Sequence, residues 1–150
     1  MESKKYIHYG HKHFQPELFR PISNRGRWVK PNGGLWASPV DASFGWKDWN
    51  YGSNLVECND ENSFTFTLKE GARILFIADN DFLKKLPQIE DELALDMWCM
   101  LDFEKLAEDY DAIELDLSAD SRLYWSLYGW DCDCILVMNP DVVVEVGRND

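Results

Sequence analysis

Short segments of strand character recur along this chain, and they do not alternate regularly with helices. The clearest is 63–68 (SFTFTL), in which apolar residues alternate with Ser and Thr, as in a strand buried on one face. The continuous apolar run 72–79 (ARILFIAD) predicts a strand buried on both faces. Successive parallel strands need a crossover, usually a helix, between them, so this order predicts an α+β fold with a mainly antiparallel or split sheet.

The remaining elements are predicted from periodicity and from turn residues. Further strands are predicted at 5–9, 33–38, 111–117, 134–139 and 141–146, which gives six or seven in all. Helices are predicted at 41–49 with Asp41 as N-cap, at 90–110 from helical spacing of apolar residues, and at 119–129. The sequence contains no repeat and no linker composition, so we expect one domain over residues 1–150.

Charge is distributed unevenly along the chain. The net charge is −12, but residues 1–50 carry eight Lys or Arg against four Asp or Glu, and the rest carry seven against twenty-three. The acidic part argues against general nucleic-acid binding. The basic residues of the first part, Arg20, Arg25, Arg27 and Lys30, are suited to a phosphate-bearing ligand or to pairing with the acidic part, and composition leaves both open.

Cysteine usage and hydropathy predict a cytoplasmic protein. The four cysteines form no CxxC pair, and the first residues have no secretory leader, so we expect reduced thiols. No apolar run approaches the roughly 18 residues of a membrane-spanning helix, so no membrane contact is expected.

Two kinds of reactive site are weighed first and set aside. His8, His11 and His13 lie within six residues, but only His8 falls on a predicted strand, and neither HExxH nor CxxC supports a metal site. We therefore predict no metal. A thiol nucleophile would use Cys132 or Cys134 with His8, yet nothing local marks either thiol as activated.

Three segments far apart in the chain carry a resemblance to a known family. They are "IHYG" with His8, "GGLWASPVDASFGWKDW" with Trp36, Ser38 and Trp46, and "SLYGWDCDCILVMNPDVVV" with Asp133. In content and order they resemble the ADP-ribosyltransferase superfamily, in its branch of poly(ADP-ribose) polymerases and tRNA 2′-phosphotransferases. The pieces "YIHYG", "GLWAS", "GWKDW", "FTF" and "YDAIEL" are also similar to small uncharacterised bacterial relatives of that superfamily.

The resemblance implies a split, mainly antiparallel sheet that binds NAD⁺ as a substrate. It assigns His8 to a ribose, Trp36 to stacking on nicotinamide and Asp133 to stabilising the transition state. A carboxylate suits that role, since cleaving the nicotinamide–ribose bond develops positive charge on the sugar. The remaining expected contacts to NAD are Tyr9, Gly10, Arg25, Arg27, Lys30, Gly34, Ser38 and Trp46.

The sequence departs from the family pattern at two points. Tyr9 separates His8 from Gly10, where the family places histidine directly before glycine. The acid is Asp instead of Glu, and Asp131 or Glu114 could take its place. The expected activity is therefore transfer of ADP-ribose to a macromolecule, most simply a protein, or cleavage of NAD. The alternative is a non-catalytic binding protein on the same scaffold, with an acidic surface for its partner.

Overall fold

Seven short strands pair into one sheet in the part of the chain that the structure describes. The structure is a computed structural model, and it describes residues 4–24, 29–48, 60–90, 98–130 and 132–146. The strands are β1 (Tyr6–Tyr9), β2 (Leu35–Pro39), β3 (Ser63–Leu68), β4 (Ile74–Ile77), β5 (Ala112–Leu115), β6 (Cys134–Val137) and β7 (Val143–Val146). Their order is β4-β5-β6-β2-β1-β3-β7.

The sheet is mixed but mainly antiparallel. β4 and β5 are parallel, while the other neighbouring pairs are antiparallel. The α+β class is confirmed, and each predicted strand is present with ends shifted by at most two residues. The described helices are α1 (Phe103–Asp109), α2 (Leu123–Ser126), a helical stretch at 46–48, and the 3₁₀ turns Pro16–Leu18, Asp60–Asn62, Asn80–Lys85, Leu117–Ala119 and Pro140–Val142.

The two faces of the sheet bury different groups. We call one the helix face, because Leu75, Ile113 and Leu136 pack there with apolar residues of α1 and α2 and with Trp130. The opposite face buries an aromatic group that includes Tyr6 and Phe66, which we call the concave face. Because successive residues of a strand point to opposite faces, β2, β5 and β6 contribute side chains to both groups.

The contact of Tyr6 with Glu114 indicates that the sheet curves toward the concave face. β1 and β5 are separated by β2 and β6, so in a flat sheet their backbones would lie roughly 14 Å apart. The Tyr6 hydroxyl nevertheless donates a hydrogen bond of 2.5 Å to Glu114 Oε1, and Lys4 forms an ion pair with the same carboxylate. The curvature therefore brings side chains of non-adjacent strands into direct contact.

The helix predicted at 90–110 is wrong over 98–102. There Leu101 forms a β-bridge with Gln88, and the amide of Asp102 donates to the carbonyl of Pro87. α1 begins only at Phe103, and the Asp102 carboxylate caps it by accepting from the amide of Lys105 at 3.2 Å. The apolar residues that predicted a helix here lie instead on an extended segment, in which Met100 and Leu101 are buried in the core. Residues 91–97 lie outside the described part.

Two other predictions need correction. In the predicted helix 41–49, residues 41–45 form turns and bends, and residues 46–48 are helical, while Trp49 lies outside the described part. Asp41 is therefore not the residue that begins a helix. The strand at 72–79 is not buried on both faces, because β4 is an edge strand whose Phe76 is 51% exposed.

Candidate functional site

The side chains of His8 and Trp36 lie on opposite faces of the sheet. Ile7 pairs with Ser38 in the antiparallel ladder of β1 and β2, so these two side chains share a face. Trp36, two residues before Ser38, lies on that same helix face, whereas His8 follows Ile7 and points to the concave face. The predicted site residues are therefore divided by the sheet.

On the helix face, two indoles hold a cation that belongs to the protein itself. The Nζ atom of Lys30 lies 4.3 Å from the centre of the Trp36 ring and 4.7 Å from that of Trp46. The Trp36 ring also packs against the buried ring of Trp130 in a T-shaped arrangement, with the ring centres 4.8 Å apart. An ammonium at these distances is attracted by the negative faces of both indoles.

A cavity of about 290 Å³ is lined by Trp46, one of the two indoles, and we call it the helix-face cavity. Its lining residues are Ile7, Tyr9, Ser38, Pro39, Val40, Ala42, Gly45, Trp46, Lys47 and Asp48. It thus brings together three predicted contacts, Tyr9, Ser38 and Trp46, because β2 lies beside β1 and the chain after β2 turns back across it.

Ser38 fixes the position of Trp46 in that cavity. Its hydroxyl accepts from the amide of Trp46 at 2.9 Å and donates to the carbonyl of Asp133 at 2.9 Å. A Cβ at Gly45 would lie 3.1 Å from the Ser38 Oγ, so glycine leaves room for this approach. The β2 strand, the following turn and the start of β6 are therefore joined through one hydroxyl.

Asp133 lies in neither the helix-face cavity nor the pocket of His8. Its buried carboxylate accepts from the amides of Phe44 at 3.2 Å and Ser118 at 3.0 Å, and from the Ser118 hydroxyl at 3.1 and 2.8 Å. These bonds attach two loops to the start of β6. The carboxylate is therefore held in one position by groups of the protein itself.

Asp133 and Glu114 line a second cavity of about 180 Å³, together with Lys4, Asp41 and Asp116. Glu114 is 4% exposed and is held by Tyr6 and Lys4. Burial raises the pKa of Tyr6 above its ordinary value, and the hydrogen bond to Glu114 raises it further. Both candidate acids therefore face one cavity, and both are already engaged by protein groups.

His8 lies in a third cavity, of about 170 Å³, which we call the histidine pocket. Its Nδ1 donates to the carbonyl of Trp36 at 2.6 Å, and its Nε2 lies 3.1 Å from Nδ1 of His11. Burial lowers the pKa of His8 below its ordinary value of 6.5, and His11 lowers it further, although the hydrogen bond to Trp36 opposes this. The remaining lining residues are His13, Phe14, Gln15, Leu18, Phe19, Gly34, Leu35 and Phe64.

The other predicted site residues are placed as follows. Gly10 ends β1 with φ of 120°, and its amide donates to the carbonyl of Asn62 at 2.8 Å. Gly34 has φ of 76°, and a Cβ there would lie 2.5 Å from Leu136 Cδ1, so the β2 turn requires glycine. Arg25, Arg27 and Asp131 lie outside the described residues.

The two thiols weighed from the sequence are buried. Cys132 and Cys134 are 0% exposed, and burial raises the pKa of the Cys134 thiol.

Within the described residues, no group of three or more His, Cys, Asp and Glu side chains is arranged to hold a metal ion. No helix in the described ranges is long and apolar enough to cross a membrane.

Sequence reasoning set His11 and His13 aside as loop residues, yet both line the same pocket as His8. The available signal was the density of three histidines in six residues. On β1, the helix-face cavity is lined by Ile7 and by Tyr9, which directly precedes Gly10. In comparisons with protein-family models, curated proteins and solved structures, no match to this chain was found.

Proposed function

We propose that the protein binds NAD⁺ in the helix-face cavity and acts as an ADP-ribosyltransferase-like protein. The observation that carries the proposal is the Lys30 ammonium held over the rings of Trp36 and Trp46. Two indoles that attract an ammonium also suit the flat, positively charged nicotinamide ring of NAD⁺. We also propose that the curved, mainly antiparallel sheet corresponds to the split sheet of that superfamily.

The neighbouring residues suit the rest of the ligand. Tyr9 lines the cavity beside Gly10 and is proposed to contact a ribose, the role that the resemblance assigns to His8. In the complex, Lys30 leaves the indoles to the nicotinamide and pairs with the pyrophosphate, as a mobile point charge can. Ser38 holds Trp46 in position for stacking.

The proposed reaction breaks the bond between ribose C1′ and the nicotinamide nitrogen. The bonding electrons leave with neutral nicotinamide, and positive charge develops on the sugar. An acceptor group on a macromolecule or a water then attacks C1′ and releases a proton. Asp133 is the proposed carboxylate that stabilises the developing charge, with Glu114 as the alternative in the same neighbouring cavity.

A second candidate is NAD⁺ binding without turnover. One observation favours it: the Asp133 carboxylate accepts from Phe44 and Ser118 and lines a different cavity from Tyr9 and Trp46. A carboxylate held in this way has to change partners before it can approach the ribose. In this form the protein would be a binding or interaction module, with its acidic part available to a basic partner.

Nicotinamide release separates the two candidates. With NAD⁺ added, chromatographic detection of nicotinamide supports the enzyme, whereas a rise in melting temperature without release supports binding alone. Absence of both effects would overturn the proposal. Asp133→Asn should lower release by more than about tenfold, which corresponds to about 1.4 kcal/mol. If Asp133→Asn is neutral and Glu114→Gln is inactive, the acid is Glu114.

Trp46→Leu tests the site itself. The substitution removes one indole, so we expect NAD⁺ to raise the melting temperature less than in the wild type. Trp125→Leu is the matched control, because Trp125 is 54% exposed on α2 and belongs to no predicted contact. An equal loss in both variants would contradict placement of the ligand at the indole pair.

A further inference from the structure

The histidine pocket lies on the face of the sheet opposite to the proposed NAD⁺ site. His8, Leu35 and Phe64 enter it from three neighbouring strands, and residues 11–15 cover it. His8 packs against Phe64 with ring centres 5.1 Å apart, and Phe14 lies 6.1 Å from the same phenyl ring. The pocket therefore has aromatic walls and an imidazole edge.

The hydrogen bonds determine which histidine nitrogens carry protons. The Trp36 carbonyl can only accept, so Nδ1 of His8 carries its proton. In neutral His8, Nε2 is then an acceptor, and Nδ1 of His11 donates to it across 3.1 Å. The remaining nitrogen of His11, Nε2, is left as the second polar position of that ring.

His13 is oriented in a similar way by a carboxylate. Its Nδ1 lies 2.9 Å from Glu145 Oε2, and Glu145 Oε1 accepts from the amide of Phe14 at 2.6 Å. Both oxygens of Glu145 are thus used within the wall of the pocket, and the Nε2 atom of His13 is left as its second polar position. When protonated, His11 and His13 would each present an N–H donor.

The charged groups around the pocket are few in the described chain. The histidines come from β1 (His8) and from the covering segment 11–15 (His11 and His13), which also carries Lys12. The carboxylates are Glu17, in the 3₁₀ turn Pro16–Leu18, and Glu145, in β7. Arg20 follows that turn. Of the two carboxylates, Glu145 is occupied by His13 and Phe14. Lys12 and Arg20 balance the formal charges of Glu17 and Glu145, so protonation of the imidazoles adds net positive charge around the pocket.

We propose that the histidine pocket is a second ligand site, which binds a small carboxylate bearing one flat ring. The cavity of about 170 Å³ matches a single ring, since an apolar cavity of about 150 Å³ accommodates benzene. The ring packs against the phenyl groups of Phe14 and Phe64, and the carboxylate accepts from His11 and His13. This site does not depend on the proposed NAD⁺ site, because the sheet separates the two.

Histidine NMR tests the proposal directly with benzoate as the probe. The chain has three histidines, so each imidazole gives its own resonances and can be assigned by substitution. At about pH 6 we expect benzoate to shift the His11 and His13 signals with a dissociation constant of about 1 mM or lower. Binding should weaken at least about tenfold when the pH is raised to 8, as expected for a carboxylate held by imidazolium donors.

Neutral benzamide and two variants complete the test. Benzamide, which lacks the charge, should bind at least about tenfold more weakly than benzoate at pH 6. His11→Gln should weaken benzoate binding, whereas Lys84→Met, at an exposed position of the 3₁₀ turn Asn80–Lys85, should leave it unchanged. Equal affinity for benzamide and benzoate, or no saturable shift with benzoate, would overturn the proposal. NAD⁺ that displaces benzoate would instead place the NAD⁺ site at His8 and contradict the separation of the two sites.

Discussion

At the scale of single residues, burial sets the charge state of His8. The imidazole is held between the Trp36 carbonyl, His11 and Phe64, and its pKa is lowered mainly by burial. The folded protein therefore binds a proton at His8 less readily than the unfolded chain does. Stability from this group is fully present above pH 6.5 and is lost as pH falls toward the lower pKa of the folded state.

His8→Asn tests that dependence. Asn keeps a donor for the Trp36 carbonyl but does not titrate, so the free energy of unfolding should fall less steeply below pH 6.5 than in the wild type. Urea unfolding across this range measures the difference. His13→Asn is the control, because His13 is 71% exposed. An unchanged slope in His8→Asn would show that His8 titrates equally in both states.

Residue positions were partly predictable from the sequence. The helix-face cavity brings together Tyr9, Ser38 and Trp46, which lie on two adjacent strands and in the segment that follows β2. Local sequence patterns indicate these strands and the turn. The division between His8 and Trp36 was not predictable, since it depends on the pairing register of β1 and β2. A shift of one residue in that register would reverse which side chains share a face.

At the scale of elements, the edge position of β4 leaves one face of an apolar strand exposed. Leu75 and Ile77 are buried on the helix face, whereas Ile74 and Phe76 are exposed on the other. The composition of 72–79 indicates a strand but cannot show that only one neighbour, β5, pairs with it in the described sheet.

Likewise, helical spacing at 98–102 did not reveal the bridge between Gln88 and Leu101, because that contact depends on distant backbone groups.

A pair of substitutions in β4 measures this asymmetry. Ile77→Ala should lower the free energy of unfolding by about 2–4 kcal/mol, because Ile77 is 0% exposed and truncation leaves a cavity. Phe76→Ser should cost less than about 1 kcal/mol. Chemical denaturation of both variants checks the difference. Equal losses would contradict the edge position of β4.

At the scale of the whole molecule, curvature of the sheet joins β1 to β5. The contact of Tyr6 with Glu114 spans two intervening strands, and no local sequence pattern encodes it. The cavity that holds both candidate acids is likewise lined by residues from distant parts of the chain. Strand number and class follow from local alternation, whereas the curvature and the cavities follow from long-range packing.

A double-mutant cycle tests the curvature. Tyr6→Phe and Glu114→Gln each remove part of one buried hydrogen bond, so their effects on unfolding should be coupled by about 1–2 kcal/mol. Tyr6→Phe with Glu104→Gln is the control, because Glu104 is exposed on α1. Simple additivity of Tyr6→Phe and Glu114→Gln would contradict the contact and the curvature inferred from it.

Relative affinity for NAD⁺ and NADH tests the central claim most directly. The proposed indole pair recognises the positive charge of the nicotinamide ring, which NADH lacks. Isothermal titration calorimetry should show NAD⁺ binding at least about fivefold more tightly than NADH, or about 1 kcal/mol, and Trp46→Leu should remove most of that preference. Equal affinity for the two nucleotides in the wild type, or no binding of either, would contradict an NAD⁺ site at Trp36 and Trp46.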